Sequence, residues 1–227
     1  MSEISITVES GTTKRLLTAG KYCDRDIVVT ATGGSGGGGS DLPAGYERVN
    51  YIRFNDAQIV DTGVICTQDT KIRVIFTRES SNAMYMYGVV NSGNTASVTA
   101  YLSNSGAWRF GNKSISRTIE TDDELTQVAI VQKSSIKMIG YTGSLTSVND
   151  FETIGTLLIG SVRNANGSVG AAQFIGKILL FEMWQGEDLA LQLIPVIGEA
   201  GDYRFFDCVS GVFHDSITDT PLDGGVW

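Results

Sequence analysis

Short runs rich in β-branched and aromatic residues recur along most of this chain at roughly 8–12-residue spacing, each closed by Gly, Asn, Ser or Asp. Helical periodicity is nearly absent. The pattern predicts about a dozen strands, near residues 47–54, 58–61, 71–77, 84–91, 97–103, 107–110, 114–120, 125–132, 136–141, 157–161, 172–184 and 189–196. The intervening turns at 91–94, 104–106 and 164–167 carry the residues that tolerate positive φ. One stretch, 184–193, also has a helical reading, weaker than its strand reading. A chain of many short antiparallel strands must bury one face of each sheet. The predicted class is therefore all-β, with two packed antiparallel sheets in a jelly-roll sandwich. A closed barrel is the alternative.

One interval belongs to no sheet. Six of the seven residues from 33 to 39 are glycine. Glycine loses more backbone entropy on folding than any other residue, so the run 33–40 reads as a flexible linker spanning on the order of 15 Å. A Gly/Ser run can also be an engineered scar. Residues 41–227 on its far side make one ordinary domain with room for a sizeable core. Residues 1–32 are too few to fold alone without a disulfide, a metal or a partner. They hold a single cysteine, Cys23, and no histidine. Ile4, Ile6 and Val8 alternate, and 12–17 and 26–30 read as further short strands around a turn at Ala19-Gly20. A small β module that anchors and oligomerises the chain is predicted there.

The charge narrows the partners. With 25 Asp+Glu against 17 Lys+Arg the chain carries −8, which argues against nucleic acid and against adhesion to anionic membranes. No apolar run approaches a membrane span, and the first residues do not have the form of a signal peptide. Cys23, Cys66 and Cys208 form neither a disulfide framework nor a zinc pattern. Synthesis in a reducing cytoplasm, without a signal peptide, is the expectation.

Three groups of residues carry a family likeness. They are Leu42-Pro-Ala-Gly-Tyr-Glu-Arg-Val-Asn-Tyr-Ile with Ala57-Gln-Ile-Val-Asp-Thr-Gly-Val; Phe174-Ile-Gly-Lys-Ile-Leu-Leu-Phe-Glu-Met-Trp; and Leu191-Gln-Leu-Ile-Pro-Val with Tyr203-Arg-Phe-Phe-Asp-Cys-Val-Ser-Gly-Val-Phe-His. In this order they resemble a jelly-roll domain of phage and gut-bacterial surface proteins, within the concanavalin A-like lectin/glucanase superfamily. The likeness runs over nearly all of residues 41–220. It departs at Gln192-Leu193, in the insertion at 198–202 and at Arg204-Phe205. Residues 14–31 resemble a short segment of phage virion proteins that sits near tail or head-fibre modules, which implies attachment to the particle, frequently as a trimer. Together the resemblances imply a non-catalytic protein of the virion surface. It would be a fibre, decoration or receptor-binding protein whose lectin-like domain adheres weakly and multivalently to host-surface or mucus glycans. A structural decoration protein without ligand and a glycan hydrolase are the alternatives.

The opening strand with Val49, Tyr51 and Arg53 is expected to lie beside the closing strand near Phe205 and Phe213. The segment from Asp207 to Gly211 is expected to be a turn. The superfamily's glucanases place three carboxylates on one face of a strand as E-x-D-x-E, and Glu120-Thr-Asp-Asp-Glu124 matches this literally. Its intervening Thr121 and Asp123 are polar where those enzymes are apolar, so a solvated loop and no catalytic residue are expected. His214 has no evident triad partner. Neither Asp219–Asp223 nor Asp122–Glu124 follows a calcium-loop pattern, and no metal or cofactor is expected.

The candidate carbohydrate contacts are Tyr85, Tyr87, Tyr101, Trp108 and Arg109. In a strand Met84 and Met86 share one face and Tyr85 and Tyr87 the other. Exposed aromatic faces stack on sugar rings, and tyrosine adds a polar tip. The competing assignment puts the tyrosines in the core with the methionines as gap-fillers.

Overall fold

The computed structural model describes residues 42–226, other than Thr95, Asn104, Ser105, Thr118, Glu120, Thr121, Ile139, Gly140 and Ala172. The expected module at 1–32 and the linker at 33–40 lie outside the described residues. Strand β1 spans Tyr46–Arg48, β2 Tyr51–Asn55, β3 Val60–Thr67, β4 Thr70–Arg78, β5 Met84–Val90, β6 Ser97–Leu102, β7 Ala107–Gly111 and β8 Lys113–Ser116. Then follow β9 Asp122–Gln132, β10 Ser135–Met138, β11 Tyr141–Ser144, β12 Glu152–Ile159, β13 Ile175–Gln185, β14 Asp188–Gly198, β15 Tyr203–Asp207, β16 Phe213–His214 and β17 Asp223–Gly225. Among the described residues there is no α-helix.

The strands form two antiparallel sheets that pack as a sandwich. The larger runs β11-β10-β9-β4-β13-β14-β15-β16, with β1 on β14 and β2 bridging β13 and β17; the smaller runs β3-β12-β5-β6-β7-β8. Alternation builds the interior. On β4, Ile72, Val74 and Phe76 are fully buried between the sheets while Lys71, Arg73 and Ile75 face away. On the larger sheet they meet Ile178, Phe181 and Met183 of β13; across the core stand Val98, Ala100, Trp108 and Phe110 of the smaller one.

A register shift between Ile178 and Leu180 turns Leu180 out of that interior. It joins Ile194, Val196 and Phe206 in a second, small cluster on the outer side of the larger sheet. Leu42, Tyr46, Cys208 and Phe213 cover it, and the Tyr46 and Phe213 rings lie 4.3 Å apart. The Leu-Pro-Ala-Gly-Tyr stretch is thus a cover for an apolar patch that would otherwise face water.

Several local expectations change in the tertiary context. The helical reading at 184–193 gives way to a hairpin, β13 to β14, turning at Gly186 with φ +63°. Expected strand 136–141 is two strands, β10 and β11, and the expected 58–61 strand runs on to Thr67. The opening strand does not pair beside Phe205 and Phe213. Arg48 and Arg204 both oppose Val196, so β1 and β15 hold opposite edges of β14. The chain's described ends meet instead through β2 and β17. Asp122, Asp123 and Glu124, expected in a loop, begin β9, with Asp122 opposite Arg78. There the backbone ladder to β4 overrides the low strand preference of acidic residues. The turn after β15 forms as expected. Buried Asp207 accepts from the backbone N–H groups of Gln192, Val209 and Ser210, and Gly211 has φ +74°.

Candidate functional site

The five candidate residues lie on β5, β6 and β7, the inner strands of the smaller sheet. Cross-strand register decides which way each faces. Tyr85 opposes Tyr101, but the next matched pair is Tyr87 with Ala100, so one extra residue, Met86, is accommodated on β5. Such a bulge inverts the facing of every residue beyond it. Tyr87 therefore points into the interior along with Met84 and Met86, and all three are buried. Trp108, opposite Ala100, is fully buried as well. The expectation that Tyr87 and Trp108 present a sugar-binding surface is corrected: both are core residues, with their rings edge-to-face at 6.2 Å.

Tyr85, Tyr101 and Arg109 remain on the outward face. The Tyr85 and Tyr101 rings are 4.7 Å apart and tilted by 49°, within the range in which aromatic pairs attract. Arg109 opposes Thr99, two residues along β6 from Tyr101. All three side chains are half-buried. Partial burial pushes the Tyr85 hydroxyl above its ordinary value; Tyr101 adds to the rise and the Arg109 guanidinium opposes it.

Segment 161–173 borders this face, and its residues 162–171 carried no strand signal. It runs back along β5, with Val90 donating to the Arg163 carbonyl and Arg163 donating to that of Gly88. Val162 presses on Gly88 so closely that a Cβ at Gly88 would lie 2.9 Å from its Cγ2. The Arg163 guanidinium bonds the Thr156 carbonyl and hydroxyl and pairs with Asp61. This locks the segment where β12 splays from β5. A lone arginine in a polar loop gives no sequence signal for such a wedge.

Behind Tyr87 lies Cys66, fully buried, whose thiol burial pushes up to about 12 against the smaller opposing effect of a bond with Thr70. Burial likewise raises Tyr87. The unfolded chain gives up the thiol proton near 9.0 while the folded one keeps it. Raising the pH through that window therefore favours unfolding, by about 1.4 kcal/mol per pH unit. Urea midpoints between pH 9.0 and about 12 should fall accordingly, and less steeply for Cys66→Val. Equal slopes would remove Cys66 as the cause.

His214 Nδ1 lies 3.0 Å from the Asp61 carbonyl oxygen. Among the described residues no group of three or more His, Cys, Asp or Glu is placed to hold a metal ion. No protein-family model matches the chain. No curated protein matches it. Among solved structures, the native heptameric SAP-like pentraxin from Limulus polyphemus is similar at 14% identity, over 65% of this chain and 73% of that one, with a TM-score of 0.39. That likeness is too slight to carry an argument about binding or assembly.

Proposed function

We propose that this chain is a non-catalytic, lectin-like adhesion protein of a phage surface. Residues 1–32 anchor it to other virion proteins and oligomerise it, as a trimer. The linker lets the sandwich domain sample orientations, and the outer face at Tyr85, Tyr101 and Arg109 makes weak contacts with host-surface or mucus carbohydrate. The observation that carries the binding reading is the Tyr85–Tyr101 pair, two half-exposed rings held 4.7 Å apart on the outward side of a rigid sheet. Rings so fixed contribute contact area with little entropy to lose. Contacts of about 1 kcal/mol each leave a single site near millimolar. Several tethered copies gain 10² or so in avidity without new contacts.

The test is the double variant Tyr85→Ala/Tyr101→Ala in the full chain. Adhesion to cells or immobilised glycans is expected to disappear. Because both side chains are half-exposed, the loss in stability should stay near 1–2 kcal/mol, a few degrees of melting temperature. Adhesion equal to that of the unaltered chain would overturn the assignment of this face.

A further inference from the structure

Acidic residues are spread unevenly. The chain holds 25 Asp and Glu, yet none occurs from Ser80 to Ile119, where Arg109, Lys113 and Arg117 are the charged residues. That stretch supplies β5, β6, β7 and β8, four consecutive strands of the smaller sheet. Segment 161–173, which borders the same face, also has no carboxylate, and its one cation is already paired with Asp61. Together, four of the six strands of this sheet therefore carry cations and no carboxylate, in a protein whose total charge is −8.

Arg109 is the cation on its outward face. Lys113 stands opposite Phe110 at the hairpin end, and Arg117 lies against the Tyr141 ring 4.9 Å away. Arg53, Arg73, Arg163 and Arg204 each pair with a carboxylate. Arg109 has no carboxylate partner among the described residues, and it is half-buried beside two phenol rings. A guanidinium is a planar fork that matches a carboxylate with two parallel hydrogen bonds. Its diagonal position relative to Tyr101 sets the two residues about 7–8 Å apart. That separation suits a sugar ring lying on the tyrosines with its carboxylate reaching the arginine.

We infer that this face takes a carboxylate-bearing saccharide, a polymer of uronic acid units, with a ring on Tyr85 and Tyr101 and a carboxylate on Arg109. The inference rests on the adhesion reading above and names its ligand class. Local charge selects the ligand even though the whole chain is acidic, because charges beyond about 10 Å are screened at ordinary salt.

The probes are polygalacturonate, its methyl ester and dextran sulfate, immobilised and offered to the full chain. Polygalacturonate should bind at least about tenfold more tightly than the ester, as one charge-assisted hydrogen-bond pair requires. Arg109→Gln should abolish that difference while leaving the melting temperature in place, and Arg109→Lys should restore only part of it. If ester and acid bind equally and both are lost in Tyr85→Ala/Tyr101→Ala, the carboxylate assignment falls and the adhesion reading stands. If dextran sulfate binds as tightly as polygalacturonate, the site reads charge alone and the assignment falls. If none of the three binds, or Arg109→Gln keeps the preference for the acid, the assignment falls as well.

Discussion

Tyr87→Ala is expected to cost about 3–5 kcal/mol of stability, whereas Tyr87→Phe should raise stability by about 1 kcal/mol. The two changes have opposite signs for one reason. Tyr87 is fully buried against Trp108 and Phe181, with ring centroids 6.2 and 5.6 Å away. Truncating it leaves a cavity among rings that cannot collapse. Its hydroxyl, however, is buried without a hydrogen-bond partner among the described residues, so removing the oxygen alone relieves a desolvation cost. Trp108→Ala should match the larger loss, since Trp108 is the largest fully buried side chain. Urea unfolding at neutral pH measures all three. A Tyr87→Ala loss below about 1 kcal/mol would place the ring at the surface after all.

Arg78→Met should cost a comparable amount, about 3–5 kcal/mol. Arg78 is 1% exposed. Its guanidinium donates from Nη1 to the Ile119 carbonyl at 2.6 Å and from Nη2 to the carbonyls of Ser81 at 2.9 Å and Asn82 at 3.1 Å. One side chain thus ties the segment after β4 to the one before β9. Burial disfavours its charged form, but arginine stays charged in proteins, so the cost is met by the three carbonyls. Methionine fills much of the volume and strands those acceptors, at about 1–3 kcal/mol for each that water cannot reach. Lysine keeps the charge but lacks the fork that spans two segments, and Arg78→Lys should fall between. Thermal unfolding gives the order, and limited proteolysis near 80–82 and 119 should report the loosened segments. Unchanged stability in Arg78→Met would mean that the loops hold without the clamp.

The all-β class and the sandwich were legible because they depend on short-range features. Ile72, Val74 and Phe76 alternate in the sequence, and the sheet buries them as a set. Asp207 with Ser210 and Gly211 makes its turn from its own side-chain bonds and a positive φ. Both features act over a few residues, so composition and spacing suffice to state them.

The candidate site was only partly legible. Tyr85 and Tyr87 have the same parity in the sequence, yet the bulge at Met86 sends one outward and the other into the core. Nothing local marks Met86 as the extra residue, because a bulge is chosen by the register of the partner strand and by which side chains the opposite sheet can accept. The wedge of Arg163 against Asp61 joins residues 102 positions apart, and the contact of Tyr46 with Phe213 spans most of the domain. The sequence by itself determined which residues could alternate, turn and carry charge, since those are properties of each residue and its near neighbours. Only the tertiary structure decided which tyrosine faces water and which arginine has no carboxylate partner among its described neighbours. Those outcomes depend on the register between strands and on packing between sheets, where each facing is settled by burial energy summed over residues distant in the chain.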